Sequence, residues 1–225
     1  MSIKDGLEII SYNFYMSKTV LMAIVIVLAL IFTILIKESK EELPYKTLEN
    51  DSTILAFGDS LTYGFGASID SSYPSVMQNK TGIRIINAGV NGELSYEGLK
   101  RLPKLLLHKP DLVILCHGGN DIIQNLSNEQ LKINLLEMIR LIKNSGSQIL
   151  LVGVPDFNIV GFNTLSVYKE VAHESGVMYE DEVLKYIELH RALKSDYIHP
   201  NEKGYEMMAD TFIKLLKKYK VIQDY

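Results

Sequence analysis

The sequence is poor in cysteine and carries no excess of positive charge. Its 225 residues include a single cysteine, Cys116, which excludes an internal disulfide and any metal site built from several cysteines. The net charge of −4 at pH 7 provides no basic field for a phosphate backbone, so we expect no nucleic-acid partner. An HExxH motif, a helical pair of carboxylates and P-loop spacing are all missing, so we expect neither a metal site nor phosphoryl transfer.

One long uncharged run stands out against this composition. The segment TVLMAIVIVLALIFTILI, Thr19 to Ile36, has no charged residue, and at about 1.5 Å per residue it reaches roughly 27 Å, enough to cross a bilayer. A cleaved signal peptide would have a shorter apolar core and a small-x-small cleavage site, whereas KESKEELPYK follows here. A buried core helix is the alternative, but such a helix should have a polar face. We expect an uncleaved, single-pass transmembrane anchor.

The anchor divides the rest of the chain into three parts. Residues 1–18 form a lead, residues 37–52 a polar tether, and residues 53–225 a folded domain of ordinary size. Lysines flank the anchor on both sides in similar numbers. The positive-inside rule therefore does not decide its orientation.

Short apolar segments alternate with amphipathic ones throughout the domain. The apolar segments have the length and composition of strands buried on both faces, whereas the others carry apolar residues at helical spacing. Strands are predicted at residues 52–57, 83–88, 111–116 and 147–154, and helices at residues 95–109, 127–146, 164–176 and 201–220. Parallel neighbours need crossover connections, so this alternation predicts an α/β domain with a parallel sheet wrapped by helices.

Polar clusters follow three of the predicted strands and precede the last predicted helix. They read GDSLTYG, GVNGE, HGGND and SDYIHPN. An open parallel sheet binds its ligand at the carboxyl ends of its strands. We therefore expect these four clusters to meet at one edge of the sheet.

Together the clusters contain the groups that acyl transfer requires. Ser60 supplies a hydroxyl nucleophile, and His199 supplies a base that Asp196, three residues earlier, can orient. The backbone N–H groups of Ser60 and Gly92 and the side-chain amide of Asn120 are the candidate donors to the developing oxyanion.

Each of these residues also has an ordinary structural interpretation. Ser60 alone would be a helix N-cap, His199 alone a surface histidine, and residues 118–121 alone a turn. His117 competes for the role of base, although nothing at a fixed short spacing orients it. Cys116 closes an apolar strand and is expected to be a small buried side chain, and Asp59 to bond the turn backbone. The GxSxG elbow of the α/β-hydrolases is absent.

The four clusters, in this order, resemble the sequence blocks of the SGNH or GDSL hydrolases. The resemblance covers residues 53–220. Within it, Ser60, Gly92, Asn120 and His199 stand at the four positions that name the family, and Asp196 stands at the position of the catalytic acid. Within the family the chain is most similar to the bacterial multifunctional acyl-CoA thioesterase, lysophospholipase and arylesterase subgroup.

The resemblance implies a flavodoxin-like three-layer α/β/α sandwich, no metal or organic cofactor, and hydrolysis of acyl esters or thioesters through an acyl-serine intermediate. The chain departs from the subgroup in two respects. Asn91 and Glu93 flank Gly92 where a small hydroxyl residue and an aspartate are expected, and the apolar segment is retained where relatives carry a cleaved export signal.

We therefore expect a membrane-anchored serine esterase that acts on small-molecule or lipid acyl esters, such as lysophospholipids, or on acyl thioesters. An O-acetyl esterase for cell-wall or polysaccharide acetyl groups is the alternative, and an inactive, membrane-tethered binding domain is a more distant one. By analogy with exported relatives, the domain is expected on the extracytoplasmic side of the membrane.

Overall fold

A computed structural model of the chain describes residues 20–28, 45–156 and 164–223. The chain divides into two units, Met1–Leu43 and Pro44–Tyr225. In the first unit, residues 20–28 are helical and their apolar side chains are exposed. None of the helices in the described ranges is both long and apolar enough to span a membrane. The rest of the anchor predicted at residues 19–36, the lead, and residues 37–44 of the tether lie outside the described residues.

Within residues 45–156 and 164–223, five parallel strands form one sheet. They are β1 (Thr53–Gly58), β2 (Arg84–Gly89), β3 (Leu112–Cys116), β4 (Gln148–Val152) and β5 (Met178–Glu180). Their order across the sheet is β2-β1-β3-β4-β5, and every pairing is parallel. This is the flavodoxin-like strand order, in which the connection reverses its direction between β1 and β3.

Helices follow or connect these strands, and we number them within the domain. They are α1 (Ser60–Tyr63), α2 (Tyr73–Thr81), α3 (Ser95–Leu106), α4 (Gly119–Ile123), α5 (Asn128–Asn144), α6 (Ser166–Ser175), α7 (Val183–Leu189) and α8 (Glu202–Lys218). Helix α2 packs against α8, and α5 packs against α3 and α6. Because crossovers between parallel strands are right-handed, the reversal at β1 puts α2 on one face of the sheet and α3, α5 and α6 on the other.

The predicted α/β architecture is confirmed, with the four predicted strands displaced by one or two residues. All residues of β3 are buried, as are the last five of β1, which explains their uninterrupted apolar sequences. Strand β5 and helices α1, α2, α4 and α7 were not predicted. The three residues of β5 are too few for a periodic pattern. Helix α2 is short and carries polar residues besides its three buried residues.

The folded unit begins earlier than the sequence predicts. Leu48 is buried, and its N–H donates to the Val221 carbonyl at 2.7 Å. The Tyr45 ring meets the Tyr219 ring edge-on at 5.3 Å between centroids. The predicted tether therefore includes residues 45–52, which pack at the amino-terminal edge of the sheet because they pair with the end of the chain.

Register decides which residues meet at the opposite edge. Gly58 of β1 pairs with Gly89 of β2 and with Cys116 of β3, so these three strands end at the same level. The segments that follow them carry the first three polar clusters of the sequence. As a result, Ser60, Gly92 and Asn120 are brought to one edge of the sheet.

Candidate active site

Ser60 opens helix α1 directly after β1. Asp59 caps this helix, because its Oδ1 accepts from the Leu61 N–H at 3.1 Å, and Gly64 ends it in the left-handed conformation. The cap considered for Ser60 in the sequence therefore belongs to its neighbour. Ser60 is the first helical residue, it is partly exposed, and its hydroxyl is available for chemistry.

Asp59 is a buried carboxylate that joins the Ser60 turn to the segment after β3. Burial raises its pKa, against the opposing effects of His117 and of the backbone N–H groups of Leu61 and Gly119. Its second oxygen lies 3.5 Å from the Asn120 amide nitrogen. The expectation that Asp59 bonds the turn backbone is confirmed, and the contact extends to a second strand end.

His199 lies between Ser60 and Asp196. Its Nε2 lies 3.0 Å from Ser60 Oγ, and its Nδ1 lies 2.8 Å from Asp196 Oδ2. Burial raises the pKa of Asp196, but hydrogen bonds from the His199 and Ile198 N–H groups and from the His199 ring outweigh it and hold the pKa below its usual range. The three side chains thus form one hydrogen-bonded row that ends in an ionised carboxylate.

The loop that carries His199 forms a tight turn and is held by a contact with α7. The Ser195 N–H donates to the His199 carbonyl at 2.9 Å, which forms a tight turn over residues 195–199. Lys194 Nζ, half of a buried ion pair with Glu188 on α7, donates to the Tyr197 carbonyl at 2.9 Å. The ion pair therefore ties the loop to α7.

The loop after α1 packs against the same turn. The Phe65 ring lies 4.5 Å from the His199 ring, and the Phe65 carbonyl accepts from the Tyr205 hydroxyl of α8. Gly66 has φ of +90°, and a Cβ there would lie 2.0 Å from Ser195 Oγ. Glycine is required at this position both for its backbone conformation and for this contact.

The remaining predicted donors lie on the turns after β2 and β3. Gly92 is exposed and has φ of +76°. Asn120 is partly buried at the start of α4, and its amide donates to the Glu93 carbonyl at 3.0 Å. The structure therefore places all five residues predicted for the site at the carboxyl edge of the sheet.

His117, the competing base in the sequence, does not contact Ser60. It is fully buried, its Nδ1 accepts from the Gly118 N–H at 2.9 Å, and its Nε2 lies 2.9 Å from a carboxylate oxygen of Glu93. Both ring nitrogens are therefore engaged away from the hydroxyl. Cys116 is buried as expected, and burial raises the pKa of its thiol well above the usual range.

Sequence reasoning missed four side chains that support the site. Three of them are charged residues in helical or loop segments, where such residues ordinarily face solvent: Arg101, Glu188 and Lys194. The fourth, Phe65, is an exposed aromatic. No local signal distinguishes them, because their partners are distant in the chain. Over the described ranges, no group of three or more His, Cys, Asp or Glu side chains could hold a metal ion.

The sequence also matches a known protein family. Residues 56–207 match the model of the GDSL-like lipase/acylhydrolase family. The chain belongs to this family. It is therefore an enzyme, a hydrolase of the SGNH or GDSL type, as the resemblance in the sequence predicted.

Curated relatives in the GDSL-like family have names from one area of chemistry. Thioesterase 1/protease 1/lysophospholipase L1 of Escherichia coli K12 is 28% identical over 173 residues, which cover 73% of this chain and 83% of that protein. An arylesterase of Vibrio mimicus is 35% identical over 107 residues, 45% of this chain and 54% of that protein. The match to the arylesterase thus spans about half of its length.

Solved structures show the same fold. The psychrotrophic esterase EstA from Pseudoalteromonas sp. superposes with a TM-score of 0.68 at 23% identity, over 75% of this chain and 98% of that one. At this identity the likeness concerns the fold alone. It supports the parallel sheet of the GDSL-like domain and the order of its strands.

Proposed function

We propose that this chain is a serine esterase that hydrolyses acyl esters or thioesters through an acyl-serine intermediate. The observation that carries the proposal is the hydrogen-bonded row of Ser60, His199 and Asp196. Ser60 Oγ lies 3.0 Å from His199 Nε2, and His199 Nδ1 lies 2.8 Å from Asp196 Oδ2. Both distances fall within the reach that proton transfer between a nucleophile, a base and its orienting group requires.

Acylation begins at the Ser60 hydroxyl. Its oxygen attacks the carbonyl carbon while His199 Nε2 takes the proton, and Asp196 holds the ring and stabilises the imidazolium. The oxyanion of the tetrahedral intermediate accepts from the Ser60 and Gly92 N–H groups and from the Asn120 amide. The imidazolium then returns its proton to the departing alcohol or thiol as the bond from carbon to the leaving group breaks.

Deacylation repeats these steps with water. His199 removes a proton from a water molecule that attacks the acyl carbonyl, and the same donors hold the second oxyanion. The intermediate collapses to release the carboxylic acid, and the proton returns to Ser60 Oγ. Each proton moves between His199 and a neighbouring oxygen or sulfur, so neither step requires a cofactor.

The names of the relatives and the surface around the row both support an apolar acyl substrate. Tyr63 and Phe65 after Ser60, Val90 before Gly92, and Ile123 after Asn120 are all exposed large apolar side chains. They adjoin the reacting groups in sequence and lie on segments that follow the strand ends. Exposed apolar side chains next to the reacting groups suit the aryl or acyl chain of an ester.

Ser60→Ala tests the chemical assignment. The variant should lose hydrolysis of a short aryl ester and labelling by a fluorophosphonate while its melting temperature stays close to that of the wild type. Ser68→Ala, which changes an exposed serine outside the row, should keep both activities. Retained turnover in Ser60→Ala contradicts the proposal, and a wild-type protein that is not labelled favours the inactive binding domain.

A series of acyl chain lengths separates the two esterase hypotheses. Turnover of aryl esters and thioesters from acetyl to dodecanoyl should continue beyond acetyl for an enzyme of the thioesterase or lysophospholipase kind. Activity confined to acetyl groups, on aryl acetate and on acetylated polysaccharide alike, would establish the O-acetyl esterase instead.

We also propose that residues 19–36 anchor the chain in a membrane, with the domain on the extracytoplasmic side. Support comes from the uncharged sequence of this segment. A reporter fused after Tyr225 that is active only outside the cytoplasm is the expected result. Recovery of the full chain in the soluble fraction, or a reporter active only in the cytoplasm, overturns this proposal.

A further inference from the structure

The turn that carries Gly92 has little packing of its own. Gly92 is exposed, and apart from its two chain neighbours no described residue has an atom within 4 Å of the position a Cβ would take there. Two backbone hydrogen bonds brace the turn, from Val90 N–H to the Gly58 carbonyl and from Glu93 N–H to the Val90 carbonyl, at 3.1 and 3.3 Å. An oxyanion donor acts only if it is held in place before the reaction. Something beyond Gly92 must therefore hold it.

The next residue provides that hold. The Glu93 side chain is buried, and both carboxylate oxygens are bonded. Arg101 donates to Oε1 from Nε at 2.5 Å and to Oε2 from Nη2 at 2.6 Å, and His117 Nε2 lies 2.9 Å from Oε2. Because His117 Nδ1 accepts from the Gly118 N–H, Nε2 carries the hydrogen and donates it to Glu93.

Arg101 and His117, which donate to the Glu93 carboxylate, are themselves fixed to the sheet. Arg101 Nη2 also donates to the carbonyls of Gly58 and Ala88, at the ends of β1 and β2, and its guanidinium lies 4.4 Å from the centre of the Phe57 ring. His117 directly follows β3, and its carbonyl accepts from the Tyr168 hydroxyl. The carboxylate is thus fixed to three adjacent strands.

The main chain of Glu93 contacts the second oxyanion donor, Asn120. Its carbonyl accepts from the Asn120 side-chain amide at 3.0 Å. This bond uses one amide hydrogen and orients the group, and the same nitrogen lies 3.5 Å from Asp59 Oδ2. Glu93 therefore contacts both oxyanion donors. It is joined to Gly92 by the peptide bond, and its carbonyl accepts from Asn120.

We propose that Glu93 is the positioning residue of the oxyanion hole, in which it holds Gly92 through the main chain and Asn120 through its carbonyl. The inference rests on the proposed function and extends it. Burial raises the pKa of Glu93, but hydrogen bonds from His117 and Arg101 outweigh it and keep the pKa below its usual range. The group is therefore a carboxylate at neutral pH, which bidentate bonding by Arg101 requires.

Two substitutions separate the charge of this group from its reach. Glu93→Gln keeps the length and loses the charge, whereas Glu93→Asp keeps the charge but is shorter by one methylene. Both should lower kcat for a short aryl ester by about 10²-fold, the effect of losing one oxyanion donor, while KM changes less than about threefold. Affinity for a boronic acid that forms a tetrahedral adduct with Ser60 should fall by the same factor as kcat/KM, because only the transition state uses the donors.

Met138→Ala is the matched control for stability. Met138 is fully buried in α5 and has no hydrogen bond to the residues of the row or to Glu93, so this variant should lower the melting temperature without changing kcat of the folded protein. If Glu93→Gln does not fold, Arg101→Lys applies the same test, because it keeps the positive charge and loses the bidentate contact.

The outcomes distinguish this inference from the function on which it rests. Folded Glu93 or Arg101 variants that keep wild-type kcat and boronic acid affinity overturn the positioning role alone. An equal loss in Met138→Ala would reduce the effect to general destabilisation and also overturn it. A folded wild-type protein without hydrolysis or fluorophosphonate labelling overturns the proposed function, and the inference with it.

Discussion

Asp196 holds His199 in two ways that can be separated by one substitution. Its Oδ1 accepts from the N–H groups of Ile198 and His199 at 2.8 and 2.7 Å, which shapes the turn, and its Oδ2 accepts from the His199 ring. An asparagine can keep the first two bonds through its carbonyl. Its NH₂ group cannot accept from Nδ1–H, and the ring then favours the tautomer whose Nε2–H faces Ser60.

Asp196→Asn should therefore lower kcat by about 10³- to 10⁴-fold through the wrong tautomer, with little change in melting temperature. Steady-state kinetics on an aryl ester and thermal denaturation measure the two effects. Asp210→Asn is the control, because Asp210 is an exposed carboxylate that pairs with Lys80. A loss of less than tenfold in Asp196→Asn would show that the carboxylate is not needed to orient the base.

At the scale of elements, the site depends on loops from distant parts of the chain that pack against each other. The loop after α1 contacts the turn of residues 195–199 at Gly66, where a methyl group would collide with Ser195. The substitution of this glycine should displace the turn that carries His199. An error of about 1 Å in such a group can cost about 10²-fold in rate.

Gly66→Ala should accordingly lower kcat by about 10²-fold, measured on folded protein. Gly82→Ala is matched to it: Gly82 also has a positive φ, +70°, but apart from its two chain neighbours no described residue has an atom within 4 Å of its Cβ position. The control should lose stability through backbone strain and keep its kcat. Equal kcat losses in the two variants would assign the effect to strain rather than to the contact.

The last residue of β5, Glu180, is a buried carboxylate with a raised pKa. Glu180 Oε1 accepts from the N–H groups of Glu182 and Val183, while its Oε2 has no hydrogen-bond partner among the described residues. Burial raises the pKa of Glu180 from 4.5 to about 6. The folded protein thus binds this proton more tightly than the unfolded chain. The resulting stabilisation is full below pH 4.5 and is lost as the pH rises through 6.

Glu180→Gln keeps an oxygen for the two N–H groups and removes the charge. The variant should be more stable than the wild type at pH 8 by about 2 kcal/mol, since one pKa unit corresponds to about 1.36 kcal/mol. The advantage should disappear below pH 4.5. Urea denaturation at both pH values measures it, and a variant that is less stable at pH 8 would show that the charged cap matters more than its burial.

At the scale of the whole molecule, the position of the domain boundary can be tested by truncation. Residues 45–52 pack at the amino edge of the sheet, opposite Ser60, and Lys46 exchanges two hydrogen bonds with the Gln148 side chain at the start of β4. Burial of Leu48 alone should contribute about 1.5 to 3 kcal/mol. These contacts concern stability and not chemistry.

A chain of residues 53–225 should therefore melt about 4 to 10 °C below a chain of residues 44–225, while kcat on a soluble ester is the same for both. Leu48→Ala in the longer chain should reproduce much of the loss. Equal melting temperatures would return the boundary to residue 53, where the sequence alone places it.

The fold class follows from the sequence alone, and the sequence also predicts the five residues of the proposed site. Buried parallel strands require unbroken apolar segments, and the carboxyl ends of such strands meet, so the order of segments along the chain assigns Ser60, Gly92 and Asn120 to one edge of the sheet. Asp196 and His199 are close in sequence, and their pairing was visible as a spacing of three.

Long-range packing determines which side chains support those residues. Glu93, Arg101 and His117 are separated by up to 24 positions, and only the register of the sheet and the packing of α3 bring their charges together. In the same way, the structure assigned the α1 cap to Asp59 rather than Ser60, and it moved the domain boundary to Pro44. These features depend on contacts between distant segments, for which a local pattern of residue types contains no signal.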